Sequence, residues 1–397
     1  MDCGDKIKGS HVSVNTTTSR LPNYPMEELT KIKQALLNSG QRVLDFGTGD
    51  PPLEIWPPIR QALIDALRPT SQYPSVYGTK ALELAQRSYL SRRFGISDNS
   101  KIQVLPTRGS KEAIFHIALS VVGRNGRDGL LYPNPGYPVY RPSALFAGGT
   151  PIPYTLDKKN SYMLEPWTLP DIVQKSLAAV WVNYPHNPTG AIVNGDYYRR
   201  LCEWADKTDT VILSDECYVD IYDDRKIATP PPSILETATK NVIAFFTLSK
   251  RSGLTGYRCG FMAGDPAILD PHAKARANFG LAMPDFIQSA AAVAWKDDDH
   301  VLSRRKLLAD RVAKFSELLT SLGLAVSPAV ATFYVWADLP KGKCDIAFCR
   351  DLASRGLIAS PSSWLGENTP GQVRFAMTEP SDTFAVAQKI IQETLNS

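Results

Sequence analysis

The sequence predicts an α/β protein: a large domain built on a mostly parallel sheet, with a smaller α+β domain beside it. Three observations lead there. Between about residues 100 and 265, short β-branched and aromatic runs alternate with helical spacings, as in a parallel sheet with crossover helices. Polar residues recur just past successive strand ends, where such sheets meet ligands. From about residue 285 the alternation yields to a long helical stretch, then to strands and helices of another rhythm. A chain of 397 residues suffices for one large domain and a companion. The expected division is a flexible arm at 1–20, a large domain at 45–285, and a small domain from 21–44 plus 286–397.

Composition narrows the function classes. Hydrophobic residues make up 43% and charged residues 21%, ordinary for a soluble globular protein. A net charge of +4 over this length, without a basic run, argues against a nucleic-acid partner. The 6 cysteines are scattered, with no CxxC pair and no clustering with histidine, which suits a reduced cytoplasmic protein with no metal site. The first residues lack the apolar core of a signal peptide, and no window approaches the length of a membrane span.

Taken in order, Pro25 to Leu37 has a helical apolar spacing that Gly40 ends. Val43 to Pro52 reads as a short strand running into a turn at Gly47 and Gly49; each glycine serves the turn itself or close ligand approach. Helices are expected at 57–68 and 80–94, joined by an aromatic connector. Its Tyr73 and Tyr77 are either interface packing or hydroxyls reaching a site. A strand from Ile102 to Pro106 turns into a helix from Glu112 to Val122. Gly109 and Ser110 at that helix start offer unpaired N–H groups to an anion, or merely a cap. The Gly129 strand leads to a proline-stiffened loop presenting Tyr137, to pack or to stack on a planar ligand. The strand Ala178–Val182 ends in a segment where Pro185 and Pro188 stiffen Asn187 from both sides. After a helix near 196–206, a short apolar strand from Thr210 has Asp215 and Tyr218 just past its end. That acid caps a turn or holds a buried cation. The run Asn241–Thr247 is followed by Lys250 and Arg258, a pair that by itself reads most simply as solvated charge. A helix from Ile287 to about Leu322, a strand Ala329–Trp336, a helix near 345–355, a strand Gln372–Ala376 and a helix 381–395 complete the chain.

The ordered set Tyr184-Pro-His-Asn-Pro-Thr-Gly190, Ser214-Asp-Glu-Cys-Tyr218, and Thr247-Leu-Ser-Lys-Arg251 with Gly256-Tyr-Arg-Cys-Gly260 resembles the fold-type I pyridoxal-phosphate enzymes. Within them the likeness is to the aspartate aminotransferase superfamily, class I/II, and it runs from about Leu44 to Arg374. The resemblance implies a seven-stranded, mostly parallel sheet and pyridoxal 5′-phosphate as cofactor. Lys250 would form the resting Schiff base and, once freed by substrate, move the Cα proton. Asp215 would face the pyridine nitrogen, Asn187 and Tyr218 the ring 3′-oxygen, and Tyr137 the ring face. Gly109, Ser110, the Lys111 backbone, Thr247, Ser249 and Arg258 would hold the phosphate. Arg374 matches the arginine that grips the substrate α-carboxylate, with Val373 and Phe375 facing the other way; Asn187 and Gly49 join it. Tyr73 resembles the tyrosine that reaches the neighbouring subunit's phosphate, which implies a homodimer with sites at the subunit boundary.

Some positions depart from that pattern or stay open. Thr247 stands where serine is frequent, and both supply a hydroxyl. His186 is a substrate-site group or a bystander, while Cys217 and Cys259 read as packing. Arg20, Arg108 and Lys111 are candidates for a second carboxylate anchor, and the sequence does not choose among them. Among subgroups, the likeness is to succinyldiaminopimelate and aspartate/alanine-type aminotransferases. The leading expectation is therefore transamination between an amino acid and a 2-oxo acid through a Cα carbanion. The alternative is β- or γ-elimination, replacement or ring closure from the same carbanion in specialised biosynthesis. A regulatory, non-catalytic relative would carry a DNA-binding module ahead of the fold, and no helix-turn-helix signal precedes it.

Overall fold

The computed structural model describes residues 16–19, 21, 25–97, 101–367 and 369–397. Seven strands build the large sheet: β1 (Gln103–Thr107), β2 (Gly129–Asn134), β3 (Thr150–Thr155), β4 (Leu177–Asn183), β5 (Val211–Asp215), β6 (Val242–Thr247) and β7 (Gly260–Gly264). They lie in the order β1-β7-β6-β5-β4-β2-β3, with β7 antiparallel to both neighbours and the other pairs parallel. Period-two alternation sends Val180, Ile212, Ala244 and Phe246 to one core and Trp181, Leu213, Ile243 and Phe245 to the other. Helices cover both faces, which is why these strands read as continuous apolar runs.

The reversed direction of β7 matters for function. Its first residue, Gly260, pairs with Thr247 at the end of β6 and with Thr107 at the end of β1. The residues just before β7 therefore sit at the same sheet edge as the residues just after β4, β5 and β6.

A second sheet holds β8 (Ala325–Val326), β9 (Tyr334–Asp338), β10 (Ser360–Pro361) and β11 (Gln372–Ala376), antiparallel in the order β10-β11-β9-β8. Arg374 on β11 stands opposite Trp336 on β9. The short strand Leu44–Asp45 pairs with Leu357–Ile358, and Lys33 of helix Pro25–Asn38 meets Asp45 at 2.9 Å.

Several expectations change. β3 is a sheet strand that the apolar-run pattern passes over, because Pro151 and Pro153 are tolerated only at an edge such as this. The strand expected from Ala329 starts at Tyr334, since Thr332 turns the chain at φ 65°. Helix Pro266–Asn278 was hidden by Pro266 and Pro271. The long helix expected from Ile287 is two helices, Asp285–Lys296 and Asp299–Ser321. Asp297 is extended between them, and its Oδ1 accepts the His300 N–H at 3.0 Å, as a helix cap does.

Helix Asp285–Lys296 buries Ala290, Ala294 and Trp295 with Ile59, Leu82 and Tyr89, in a core of the large sheet. The chain therefore stays packed with the large sheet up to the break at Asp297. Most of the arm expected at 1–20 lies outside the described residues; Thr16–Ser19 within it is helical. Among the described residues, no helix is long and apolar enough to cross a membrane.

Candidate active site

The strand ends converge on one cavity of ≈260 Å³, whose lining includes Gly49, Ser110, Lys111, Tyr137, Asn187, Asp215, Tyr218, Ser249, Lys250, Arg258 and Arg374. Lys250 lies in the short helix Leu248–Arg251 that follows β6 directly, and its Nζ donates to the Gly49 carbonyl at 2.5 Å. The rings of Phe333 and Tyr218 have their centroids 5.4 and 5.9 Å from that nitrogen.

Asp215, the last residue of β5, is 4% exposed. Its Oδ2 accepts from the Tyr140 hydroxyl at 2.7 Å and its Oδ1 from the Cys217 N–H at 3.2 Å. Burial raises its pKa, while these hydrogen bonds and the Lys250 charge act the other way. A buried carboxylate of this kind is completed by a cation.

Asn183, which ends β4, donates its side-chain amide to the Asp215 carbonyl at 2.8 Å and accepts the Asn187 N–H at 3.0 Å. Asn187 in turn accepts from Arg374 Nη1 at 3.1 Å, and Nη2 donates to the Gly47 carbonyl at 2.9 Å. Arg374 is 3% exposed, its Nε has no partner, and its guanidinium lies 4.3 Å from the centroid of the Tyr334 ring. The expected inward arginine is thus in place.

At the same sheet edge, just past β1, Gly109 precedes helix Ser110–Val121 with φ +83°. A Cβ there would fall 2.4 Å from Arg258 Nη2, so the glycine lets the guanidinium settle against the helix start. Arg258 itself adopts φ 55° and donates Nη1 to the Thr255 carbonyl at 2.9 Å. A cation beside a helix start, whose first N–H groups have no intrahelical acceptor, makes an anion cradle.

Some expected members stand elsewhere. Thr247 does not line the cavity; its Oγ1 accepts the Ser249 N–H at 3.1 Å and so caps the lysine's helix. Tyr73 is fully exposed at 103% and does not line this cavity. His186 is removed from the substrate side: it is buried, with Thr189 Oγ1 at 2.7 Å and the Pro135 carbonyl at 3.1 Å. Burial lowers its pKa to about 3, so it stays neutral. Arg20 is outside the described residues, Arg108 does not line the cavity, and Lys111 does. Three contributors escaped the sequence. Asn183 left a signal as an amide closing an apolar strand, whereas Tyr140 and Tyr334 read as packing aromatics.

The residues fit pyridoxal phosphate. The site offers a buried carboxylate for a cationic ring nitrogen, an amine for an aldehyde, and the Arg258–helix cradle for a phosphate.

Comparison with known proteins leads to one family. The profile of the family described as aminotransferase class I and II matches residues 41–390. The chain is a class I and II aminotransferase. LL-diaminopimelate aminotransferase of Aquifex aeolicus is 33% identical to it over 378 residues, covering 94% of this chain and 96% of that protein. LL-diaminopimelate aminotransferase 2 of Trichormus variabilis is 32% identical, covering 90% and 93%. Among solved structures, aminotransferase AspB of Helicobacter pylori superposes with a TM-score of 0.82 at 30% identity, covering 95% of this chain and 99% of that one. Members of the family use pyridoxal 5′-phosphate, and this aminotransferase is a pyridoxal-phosphate enzyme acting on amino-acid and 2-oxo-acid substrates.

Proposed function

We propose that this aminotransferase performs its amino-group exchange with Lys250 as the covalent and proton-moving residue and Arg374 as the anchor of the substrate α-carboxylate. One observation carries the reading: Lys250, Asp215, the Asn187–Arg374 pair and Arg258 all line a single cavity. The cofactor, when bound, supplies an aldehyde for the amino group and an electron sink for bond-breaking at Cα. Lys250 Nζ, oriented by the Gly49 carbonyl, takes the proton from the substrate Cα. Asp215 holds a proton on the ring nitrogen, and its burial makes that pairing strong. Asn187 and Tyr218 serve the ring oxygen and Tyr137 the ring face. Ser110, Lys111 and Ser249 join Gly109 and Arg258 at the phosphate, and Thr247 supports Ser249 from behind. Arg374 presents a planar fork to the carboxylate, which Lys could not reproduce.

The active unit is a homodimer, a reading supported by the exposed aromatics Tyr73 and Tyr77 on one connector. Sedimentation should return twice the 43.7 kDa chain mass; a monomer at working concentration would remove Tyr73 from the site. A large domain from 45 to the Asp297 break, and a small domain from the N-terminal helix and the remainder, account for the two sheets. A reducing cytoplasm suits the unpaired Cys202, Cys217, Cys259, Cys344 and Cys349.

The decisive experiment is Lys250→Ala. It should abolish the cofactor's visible band and lower kcat by at least about a thousandfold, as loss of a nucleophile does. An intact band with near-normal turnover would overturn the assignment. Single-turnover spectra with aspartate, alanine and LL-diaminopimelate then rank the amino donors.

A further inference from the structure

Tyr334 touches three residues of the site from a strand of the small sheet. Its hydroxyl lies 2.8 Å from the Tyr218 hydroxyl, and its ring lies under the Arg374 guanidinium with 4.3 Å between Cζ and centroid. A Cβ on residue 49 would fall 2.3 Å from the Tyr334 oxygen, so Gly49 is shaped to admit it. The side chain is 3% exposed and lines the cavity.

A phenol has one hydrogen to give and two lone pairs to receive. If Tyr334 gives its hydrogen to Tyr218, the Tyr218 hydrogen is left free to point into the cavity. If the donation ran the other way, Tyr218 would have nothing to offer a ligand oxygen. The ring face, meanwhile, braces the guanidinium that Asn187, Gly47 and Ser360 also hold.

We propose that Tyr334 is a positioning residue that donates to Tyr218 and braces Arg374, so that one side chain aligns the ring-oxygen donor with the α-carboxylate anchor. The inference rests on the roles proposed for Tyr218 and Arg374. The ionisable groups around the hydroxyl pair are Arg374, Cys217 and Lys250, whose Nζ is 5.9 Å from the Tyr218 ring centroid.

The test separates the hydroxyl from the ring. The visible absorbance band of the cofactor-loaded protein is titrated against pH in wild type, Tyr334→Phe, Tyr218→Phe and the double variant, with melting curves to confirm folding. Weakening the Tyr218 donor destabilises an anionic ring oxygen, so Tyr334→Phe should raise the band's midpoint by about half a pH unit or more. The double variant should shift no further than Tyr218→Phe alone, because both changes remove one chain of hydrogen bonds. The KM for amino donor should stay within about twofold in Tyr334→Phe, which keeps its ring. It should rise about tenfold in Tyr334→Leu, which does not. A wild-type midpoint in Tyr334→Phe beside a shifted Tyr218→Phe, or additive shifts in the double variant, would overturn the hydrogen-bond half. An unchanged KM in Tyr334→Leu would overturn the brace. A stationary midpoint in Tyr218→Phe itself would strike the proposed function of Tyr218 instead, so the two failures are distinguishable.

Discussion

Gly109 carries two constraints at once. Its φ of +83° is costly for any residue with a side chain, and a Cβ there would meet Arg258 Nη2 at 2.4 Å. Gly109→Ala should therefore push Arg258 off the helix start and weaken cofactor binding by about tenfold or more, measured by absorbance titration of the apoprotein. Equal affinity for cofactor in the variant would mean that the cradle does not hold the phosphate. The same residue scale shows what a sequence reveals. Lys250, Asp215, Asn187 and Arg258 were legible because polar groups at the ends of apolar strands need an explanation, and one cofactor explains them all. Thr247 was legible as a hydroxyl in the right motif, yet its oxygen caps the lysine's helix. Only a distance distinguishes a cap from a ligand. Tyr140 was invisible because a tyrosine in an apolar stretch packs as well as it donates, and its bond to Asp215 depends on a residue 75 positions away.

The short helix of Lys250 is too brief to hold itself, so neighbouring elements must fix it. Arg251 does this. It meets Asp220 Oδ2 at 3.1 Å, donates to the Ala294 and Asp297 carbonyls at 2.8 and 3.0 Å, and stacks over Tyr89 at 4.9 Å. It thereby ties the lysine's turn both to the segment after Tyr218 and to the end of helix Asp285–Lys296. Arg251→Met strands those acceptors and part of the Asp220 charge, and should cost about 3 kcal/mol in denaturant unfolding. A loss below about 1 kcal/mol would show that Arg93, which also pairs with Asp220 at 2.9 Å, carries the network alone. Element existence was widely legible, since helix 80–94 and strand 372–376 fall where the sequence places them. The failures cluster at Pro151, Pro153, Pro266, Pro271 and Asp297. Proline suits a sheet edge or a helix's first turn and is disfavoured elsewhere, yet Pro271 sits inside its helix, and sequence periodicity does not say which place applies.

Across the whole molecule, buried ionisable groups make stability depend on pH. Glu216 is 1% exposed; its Oε1 accepts from Ser214 Oγ and from the Ile234 N–H, both at 2.9 Å, and its Oε2 has no partner. Burial raises its pKa from 4.5 to about 7. The folded state then holds a proton that the unfolded chain has released, so this contribution is full below about pH 4.5 and is lost as pH rises through 7. Glu216→Gln should therefore gain on wild type between about pH 5 and pH 8, by an amount on the order of 3 kcal/mol, read from paired melting curves. A difference independent of pH would show that Glu216 is not the titrating group. His186 works in the opposite sense: its pKa is lowered to about 3, so its stabilising effect fades as pH falls below 6.5. The sequence by itself determined the α/β class, the cofactor chemistry and most of the polar residues that line the cavity, because local patterning and strand-end polarity are written along the chain. Only the tertiary structure decided that Tyr334 meets Tyr218 and Arg374, that His186 is sealed away, and that helix Asp285–Lys296 packs with the large sheet. Those outcomes depend on which surfaces pack together, and packing joins residues whose separation along the chain carries no periodic signal.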